Sequence, residues 1–290
     1  MQLQFRKLTE KIGSEVIGVN LAEPLSSEDM DKIENEFNHR AILLFRDQDI
    51  SEAQHINFSR HFGDLEIHVL KQYLLTDHPE ILLISNIQEN NTNIGISDAG
   101  QYWHTDLSYT KSPSRCSILK AKAIPAREGD TSYGDTCFIN TAAAYEALDE
   151  NTKERLSKLH AVHSYADRYE RMRLAANSQR QPLTEEQRKK VPEVVHPVIR
   201  THPITGKKSI YVNEGFTTKI VDIAAEESNA LLEQLYSHCT AEDFKYRHQW
   251  KVGDIMMWDN CTTQHLAISD YGPDQHRLMH RTTVMGSAVF

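Results

Sequence analysis

Long apolar segments and paired cysteines are both missing from this sequence. No run of about 18 apolar residues occurs, so no segment is long enough to cross a membrane as a helix. The amino-terminal residues also lack the apolar stretch of a signal peptide. No C-x-x-C pair occurs among the four cysteines, which argues against a zinc ribbon or a disulfide framework; they are Cys116, Cys137, Cys239 and Cys261. We therefore expect a reduced, cytoplasmic protein.

A basic excess is missing too. The chain carries 32 Lys and Arg against 41 Asp and Glu, for a formal net charge of -9. Phosphate backbones favour basic surfaces, so we expect no nucleic acid as a partner. The lack of a long apolar run, described above, is the reason for expecting no membrane either. A pocket for a small anion would have to be built from a few locally placed cations, against an unfavourable overall field.

The pattern of apolar residues predicts a mainly β fold with covering helices. At 290 residues, with 39% hydrophobic and 25% charged residues, the chain can form one large globular domain. Short apolar or alternating runs predict strands at residues 14–20, 41–45, 81–84, 117–121, 136–139, 209–212, 249–250, 255–258 and 281–284. Helical spacing predicts helices at 26–39, 51–62, 140–159 (two short ones) and 224–239, the last with a capped start. Many short strands with few helices indicate a β-sandwich or jelly roll.

Two polar segments interrupt this pattern. Residues 87–101 are rich in Gly and Asn and predict a loop. Residues 165–195 form the second segment, in which Arg, Lys, Gln and Glu dominate from residue 170 onward. We interpret the second segment as a surface insertion or lid within a single domain that spans residues 1–290.

His104 and Asp106 form an H-x-D tripeptide near a predicted strand end. Alternate residues of a strand share a face, so both side chains can reach one metal ion. His265, which lies just beyond the strand at 255–258, is the candidate third ligand. Two histidines and one carboxylate leave coordination positions open, as oxygen-activating iron(II) requires. With 15 histidines in the chain, an H-x-D tripeptide arises easily by chance, so the assignment depends on the residues beyond His265.

Two arginines lie after His265 at a spacing that suits anion binding. Arg277 is 12 residues beyond His265 and Arg281 is 16 beyond it. Because they are four residues apart, strand or helix geometry can place both on one side. A guanidinium group offers a bidentate fork to a carboxylate, such as the far end of 2-oxoglutarate.

Together with further segments, these residues resemble the taurine dioxygenase and 2,4-dichlorophenoxyacetate dioxygenase (TauD/TfdA) family of Fe(II)/2-oxoglutarate enzymes. The matching segments occur in family order from about residue 10 to residue 288. They are residues 62–65 (FGDL), 103–106 (WHTD), 129–131 (GDT), 143–148 (AAYEAL), 196–203 (HPVIRTHP), 212–216 (VNEGF), 253–260 (GDIMMWDN) and 279–281 (MHR). The interval between His265 and Arg277 is one residue longer than in these relatives, and we expect the turn at residues 270–276 to absorb it.

The resemblance implies a double-stranded β-helix (jelly roll) and a role for each candidate residue. His104, Asp106 and His265 would bind Fe(II), with 2-oxoglutarate and O2 as cosubstrates. Thr131 and Arg277 would hold the distal carboxylate of 2-oxoglutarate, and Arg281 would bind the anionic group of the substrate. The remaining substrate contacts would come from His68, Phe216, Lys71 and Arg168. The products would be a hydroxylated substrate, succinate and CO2.

The pocket residues argue for a small anion other than taurine. Where the taurine enzyme meets the substrate amine, this sequence aligns Lys71, Gly100 and Arg168. Two cations repel an ammonium group by roughly 1–4 kcal/mol at about 4 Å, depending on the dielectric. We expect a sulfonate, a sulfate ester, an aryloxy-alkanoate or another carboxylate. Taurine itself, and desaturation or another oxidation in a biosynthetic pathway, remain alternatives, as does a non-enzymatic cupin-like binding protein. We also expect a homo-oligomer, either a dimer or a tetramer.

We interpret several other residues near the candidate site as structural. Trp103 and Trp258 should pack beside the site, and Asp259 and Asn260 should stabilise the turn before His265. Cys261 is interpreted as a small buried apolar residue. We also expect structural roles, and not metal binding, for five other histidines: His160, His163, His196, His202 and His280.

Overall fold

The computed structural model describes residues 2–126, 132–175 and 181–290. Thr131 lies outside the described residues. The helices are α1 (Ser27–Arg40), α2 (Glu52–Arg60), α3 (Thr141–Glu146), α4 (Glu150–Leu156), α5 (Tyr165–Leu174), α6 (Glu185–Lys190) and α7 (Ala225–Cys239). Two short 3-10 turns occur at Lys71–Tyr73 and Glu242–Phe244. None of the helices in this part of the chain is long and apolar enough to span a membrane.

Eighteen strands occur in the described ranges. They are β1 (Gln4–Lys7), β2 (Ser14–Ile17), β3 (Ile42–Phe45), β4 (Leu74–Leu75), β5 (His78–Ser85), β6 (Gln88–Glu89), β7 (Thr92–Asn93), β8 (Cys116–Ala123), β9 (Thr136–Asn140), β10 (His160–His163), β11 (Val194–Pro197), β12 (Ile199–Thr201), β13 (Lys208–Ile210), β14 (Thr217–Ile220), β15 (Lys245–His248), β16 (Ile255–Asp259), β17 (Thr263–Ala267) and β18 (Leu278–Val284). The largest sheet has the order β1-β2-β3-β16-β8-β18-β5-β4, and smaller sheets have the orders β15-β9-β17 and β11-β10-β14.

Local sequence signals start the first two helices. The Ser26 side chain accepts a hydrogen bond from the backbone of Asp29 at the start of α1, and Ser51 forms a capping box with Gln54 at the start of α2. α1 ends at Ala41, whose positive φ of 64° places it in the left-handed region. These helices are therefore as the sequence predicted, although α2 ends slightly earlier.

The two faces of the large sheet pack against different layers. One face, with Phe45, Met257 and Val284, joins apolar residues of α1 and α2 in one buried cluster. The opposite face, with Met256, Leu119 and Trp258, packs against Phe138 of β9 and Trp250. Because side chains alternate along each strand, the second face directs its polar residues toward the space between the two sheets.

A third apolar cluster supports the far side of the smaller sheets. It combines Ile139 of β9, Ile220 of β14 and Leu232 of α7 with residues of α3 and α4. The partly buried Trp103 also packs against it, in agreement with its predicted structural role.

Some local predictions were wrong. The segment 87–101 contains a small hairpin, β6 paired with β7, where a loop was expected. The predicted strand at 249–250 lies earlier, as β15, because it pairs with β9 from Lys245 to His248. α7 begins without the expected side-chain cap, since its N-cap residue is Ala224. In its described part the segment 165–195 contains α5, α6 and the start of β11, and its role as a surface insertion or lid stays a prediction.

Candidate active site

The three candidate metal ligands meet between the two sheets. The ligand atoms of His104, Asp106 and His265 all lie within 4.8 Å of one another, and all three residues are buried. His104 and His265 face each other as an isolated antiparallel bridge, with backbone N–H···O distances of 3.1 and 2.9 Å. Asp106 lies in the turn after His104, so tertiary contacts, and not the expected strand alternation, bring the two side chains together.

Hydrogen bonds set the tautomer of His104. Its Nδ1 lies 2.9 Å from the carbonyl oxygen of Tyr102 and 3.0 Å from that of His265. Carbonyl oxygens only accept, so Nδ1 carries the proton and Nε2 has a free lone pair. That Nε2 lies 3.7 Å from Asp106 Oδ1. Gly100 leaves the space beside the ring open, since a Cβ there would come within 3.0 Å of His104 Cε1.

The other two ligands are held in the protonation states that a metal requires. Burial lowers the pKa of His265 well below its usual range, and the neighbouring His104 adds to this, so the imidazole stays neutral. Burial opposes ionisation of Asp106, but the Arg281 guanidinium outweighs it and holds the pKa of this carboxyl well below its usual range. A neutral histidine and a carboxylate are the forms that bind divalent ions.

Arg281 and Ser117 contact the Asp106 carboxylate from the large sheet. Arg281 Nη1 lies 3.3 Å from Oδ1, and the Ser117 hydroxyl donates to Oδ2 at 2.6 Å. Arg281 pairs with Leu119 in the β18–β8 register, and Thr283 pairs with Ser117, so all four side chains share the face that looks into the site. The sequence had placed Arg281 here but had not identified Ser117.

Arg277 is a buried cation beside this centre. It is only 5% exposed, its Nε has no hydrogen-bond partner, and no carboxylate within the described ranges forms an ion pair with it. Burial lowers its pKa below the ordinary arginine value. Gly134 (φ +79°) makes the room, because a Cβ there would lie 2.9 Å from Arg277 Nε. A buried guanidinium in this condition suits an anionic ligand.

The turn between His265 and Arg277 is closed by its own side chains. Asp270 Oδ1 accepts a hydrogen bond from the backbone of Gly134 at 2.8 Å, and the Gln275 side chain accepts one from Gly272 at 2.8 Å. The turn also binds the segment that carries Gly134, next to Arg277.

His68 and Phe216 line the space in front of Asp106. Phe216 is buried, with its ring 6.1 Å from the His104 ring and 4.7 Å from Tyr109. Burial lowers the pKa of His68 to about 4, and Arg281 contributes to this shift. His68 Nδ1 accepts from the backbone of Leu70 at 3.2 Å, which leaves the Nε2 proton of the neutral ring to donate.

Arg168 and Lys71 occupy different environments. The Arg168 guanidinium, on α5, lies 3.5 Å from the centroid of the Tyr102 ring, as a cation–π pair beside His104. Arg171, one turn further along α5, donates to the carbonyl oxygens of Glu214 and Gly215. Lys71 begins the 3-10 turn after His68, and its side chain is exposed.

Sequence reasoning missed Glu66 as a pocket residue. Leu65 pairs with Val284, and the Glu66 backbone donates to Thr283, so Glu66 stands on the Arg281 face of β18. Burial raises the pKa of Glu66, with Arg281 opposing this and Asp106 adding to it. The only available signal was its position two residues before His68.

A second group of possible ligands, His202, Asp259 and Cys261, is satisfied by protein contacts. Asp259 accepts from the Cys261 backbone at 2.7 Å and from the Thr262 hydroxyl at 2.5 Å, and His202 lies 3.3 Å away. Burial raises the pKa of the Cys261 thiol well above its usual range, so it remains protonated. The geometry supports the structural roles that were expected for these residues.

The donor set and the buried cation together match an oxygen-activating iron(II) centre with an anionic cosubstrate. The family model described as "Taurine catabolism dioxygenase TauD, TfdA family" matches residues 4–283. An alkylsulfatase of Acinetobacter baylyi is 33% identical over 297 residues, covering 99% of this chain and 86% of that protein. The alpha-ketoglutarate-dependent 2,4-dichlorophenoxyacetate dioxygenase of Cupriavidus pinatubonensis is 32% identical over 281 residues, 93% of each chain.

A solved structure agrees with these relatives. The crystal structure of a taurine dioxygenase from Burkholderia xenovorans superposes with a TM-score of 0.81 at 30% identity, covering 99% of this chain and 90% of that one. The chain belongs to the TauD/TfdA dioxygenase family, as its motifs predicted. It is a 2-oxoglutarate-dependent dioxygenase that works with Fe(II) and O2.

Proposed function

We propose that this enzyme hydroxylates a small organic anion, with His104, Asp106 and His265 holding Fe(II). Arg277 would hold the distal carboxylate of 2-oxoglutarate, together with Thr131. The observation that supports this most directly is the buried Arg277 without a carboxylate partner in the described ranges, next to a complete set of two histidines and one carboxylate. When bound, the metal and 2-oxoglutarate supply the oxidising power that converts a C–H bond into C–OH, with release of succinate and CO2.

The protein's own residues position the substrate. Arg281 would bind the anionic head group, and the neutral His68 would donate a hydrogen bond to it from Nε2. Phe216, Tyr109 and Tyr102 form an aromatic wall that excludes water from the reacting carbon. This arrangement orients one C–H bond toward the His104 side of the site, so the protein contributes position and a dry cavity.

The relatives indicate the chemical classes to test. They are named for an alkyl sulfate and for an aryloxyacetate, both small monoanions. A sulfonate, sulfate ester, aryloxy-alkanoate or other carboxylate is the substrate that a single head-group cation such as Arg281 suits best. If the hydroxylated carbon carries the sulfate, sulfonate or aryloxy group, the product collapses to a carbonyl compound and releases that group.

A second candidate is an anion that also carries a hydrogen-bond donor, taurine included. The sequence analysis aligned only Lys71, Gly100 and Arg168 with the positions that meet the substrate amine in the taurine enzyme. In the structure, Glu66 adds a carboxyl group on the face of β18 that carries Arg281. The Arg168 guanidinium is stacked on the Tyr102 ring, so this contact fixes where its charge lies. Glu66→Gln should selectively reduce kcat/KM for such a substrate and leave a simple alkyl sulfonate unaffected.

The proposal also covers the fold type, the lid, the cellular compartment and the oligomeric state. The two packed sheets support a double-stranded β-helix, or jelly roll, within a single domain. The surface insertion or lid at residues 165–195 stays a prediction, and it is supported by α5 in the described part of this segment. There Arg168 lies over the Tyr102 ring and Arg171 donates to carbonyl oxygens of the turn at 214–215. Four free, buried cysteines suit a reducing cytoplasm. A homo-oligomer, dimer or tetramer, stays a prediction.

Succinate formation tests the function. Purified protein is given Fe(II), 2-oxoglutarate and O2 with taurine, an alkyl sulfonate, an alkyl sulfate or an aryloxyacetate at equal concentration. We expect at least one of the three other anions to raise the rate of succinate formation above the substrate-free rate. Taurine should give a lower rate than that anion. Taurine as clearly the best of the four would support the second candidate, and no stimulation by any anion would contradict the role of Arg281.

A further inference from the structure

A closed chain of hydrogen bonds connects the Asp106 carboxylate to Trp258. Trp258 Nε1 donates to Asn260 Oδ1 at 3.1 Å. The Asn260 amide nitrogen lies 2.9 Å from the Ser114 hydroxyl and 3.2 Å from the Ser117 hydroxyl. Ser117 then donates to Asp106 Oδ2 at 2.6 Å, and Ser114 to the Asp106 backbone oxygen at 3.3 Å. We call Trp258, Asn260, Ser114 and Ser117 the relay, and all four residues are at most 2% exposed.

The direction of every bond in this relay is set by its first member. An indole N–H can only donate, so Asn260 must present its carbonyl oxygen to Trp258 and its two N–H groups to the serines. Each serine oxygen then accepts, and its own proton is left to point at Asp106. The two hydroxyls therefore act as donors to this one residue, and no rotation of the amide satisfies the buried groups equally well.

The relay gives the two carboxylate oxygens of Asp106 different partners. Oδ2 accepts the 2.6 Å hydrogen bond from Ser117, whereas Oδ1 has a longer contact of 3.3 Å with Arg281 Nη1. Oδ1 also lies 3.7 Å from His104 Nε2, so it is the oxygen that faces the proposed metal position. Trp258, which starts the relay, also packs against His265, with 4.7 Å between the ring centroids. One buried unit thus orients one candidate ligand by hydrogen bonds and another by packing.

We propose that Asn260, acting through Ser117, is a positioning residue that holds Asp106 with Oδ1 presented to the metal. This inference rests on the proposed metal site and goes beyond it, because the sequence had indicated only a turn-stabilising role for Asn260. Partners of this kind fix the orientation of ligands before the metal arrives, and losing one weakens metal affinity by roughly 10- to 100-fold.

Mn(II) binding to the full chain, measured by the EPR signal of the free ion without 2-oxoglutarate, tests the proposal independently of turnover. Ser117→Ala removes the donor, and Asn260→Asp reverses the relay, because a carboxylate would accept from both serines and turn their protons away from Asp106. Ser117→Thr keeps the hydroxyl. The matched control is Ser209→Ala, another fully buried serine, whose hydroxyl donates to the Cys261 backbone oxygen at 2.8 Å.

We expect Ser117→Ala and Asn260→Asp to weaken Mn(II) binding by about 10-fold or more, and Ser117→Thr to stay within about threefold of wild type. Ser209→Ala should lower the metal-free thermal unfolding temperature about as much as Ser117→Ala does, with unchanged Mn(II) affinity. If Ser117→Ala does not fold, Ser117→Cys decides, because the thiol keeps most of the volume but donates weakly.

The outcomes separate this inference from the proposed function. Unchanged Mn(II) affinity in the Ser117 variants, with normal binding by wild type, overturns the relay and leaves the metal site in place. Failure of wild type itself to bind Mn(II) overturns the metal assignment, and the relay with it. A loss of affinity in Ser209→Ala equal to that in Ser117→Ala would also contradict the positioning role.

Discussion

Replacing Arg277 with methionine should have opposite effects on stability and on 2-oxoglutarate binding. The guanidinium is buried, and no carboxylate of the described residues pairs with it. Methionine is similar in length and removes a desolvated cation, so the free energy of unfolding without cosubstrate should stay level or increase. A residue that served only the fold would show a decrease.

The loss of cosubstrate affinity has its origin in the same burial. If 2-oxoglutarate places its distal carboxylate against Arg277, the substitution leaves that carboxylate buried without a partner. Breaking a buried charge pair in this way costs about 3–5 kcal/mol. At about 1.4 kcal/mol per tenfold change, this corresponds to roughly two to three orders of magnitude in Kd.

Calorimetric titration of 2-oxoglutarate into Mn(II)-loaded protein measures the affinity, and thermal unfolding with and without 2-oxoglutarate measures the stability. Arg247→Met is the matched control, since this exposed arginine already has a carboxylate partner, the buried Asp135, at 2.6 Å. We expect it to leave the Kd unchanged. An unaltered Kd in Arg277→Met would refute the reasoning and transfer the role to another cation, with Arg281 the first to examine.

Three further predictions concern the ligands, the head group and pH. Single alanine variants of His104, Asp106 and His265 should lose metal binding and turnover while keeping the circular dichroism of the wild type; near-normal activity of Asp106→Ala would show the assignment to be wrong. Arg281→Ala should raise the substrate KM strongly yet leave slow, substrate-independent decarboxylation of 2-oxoglutarate detectable, and an unchanged KM would contradict its head-group role. The free energy of unfolding should fall as the pH decreases from about 6.5 to 4, because burial lowers the pKa of His68 to about 4 and that of His163 to about 3. In this window the unfolded chain binds protons that the folded one does not, so urea denaturation at successive pH values should show the decline, and a flat profile would refute it.

Local signals in the sequence were sufficient for the helices α1 to α4 and α7, but not for α5 and α6. They were sufficient for fewer than half of the described strands, namely β2, β3, β5, β8, β9, β13, β16 and β18. Ser26 and Ser51 start helices because their side chains cap the backbone within three residues, an interaction that needs no tertiary partner. The strand at 255–259 was equally readable, since its apolar run is buried on both faces. The strand predicted at 249–250 was misplaced because pairing with β9, distant in sequence, decides its position.

The residues of the candidate site were likewise predictable only in part. The H-x-D tripeptide, the distal histidine and the two arginines could be identified from residue type, spacing and family resemblance. The contributions of Glu66, Ser117 and Asn260 could not, because each depends on contacts with residues that are far apart along the chain. Ser117 reaches Asp106 only because β8 aligns it beside Thr283 and opposite Trp258, and a shift of one residue would turn it to the helix-covered face. Sequence thus determined which chemistry the chain carries, whereas register and burial decided which side chains orient it, since those contacts join residues far apart along the chain.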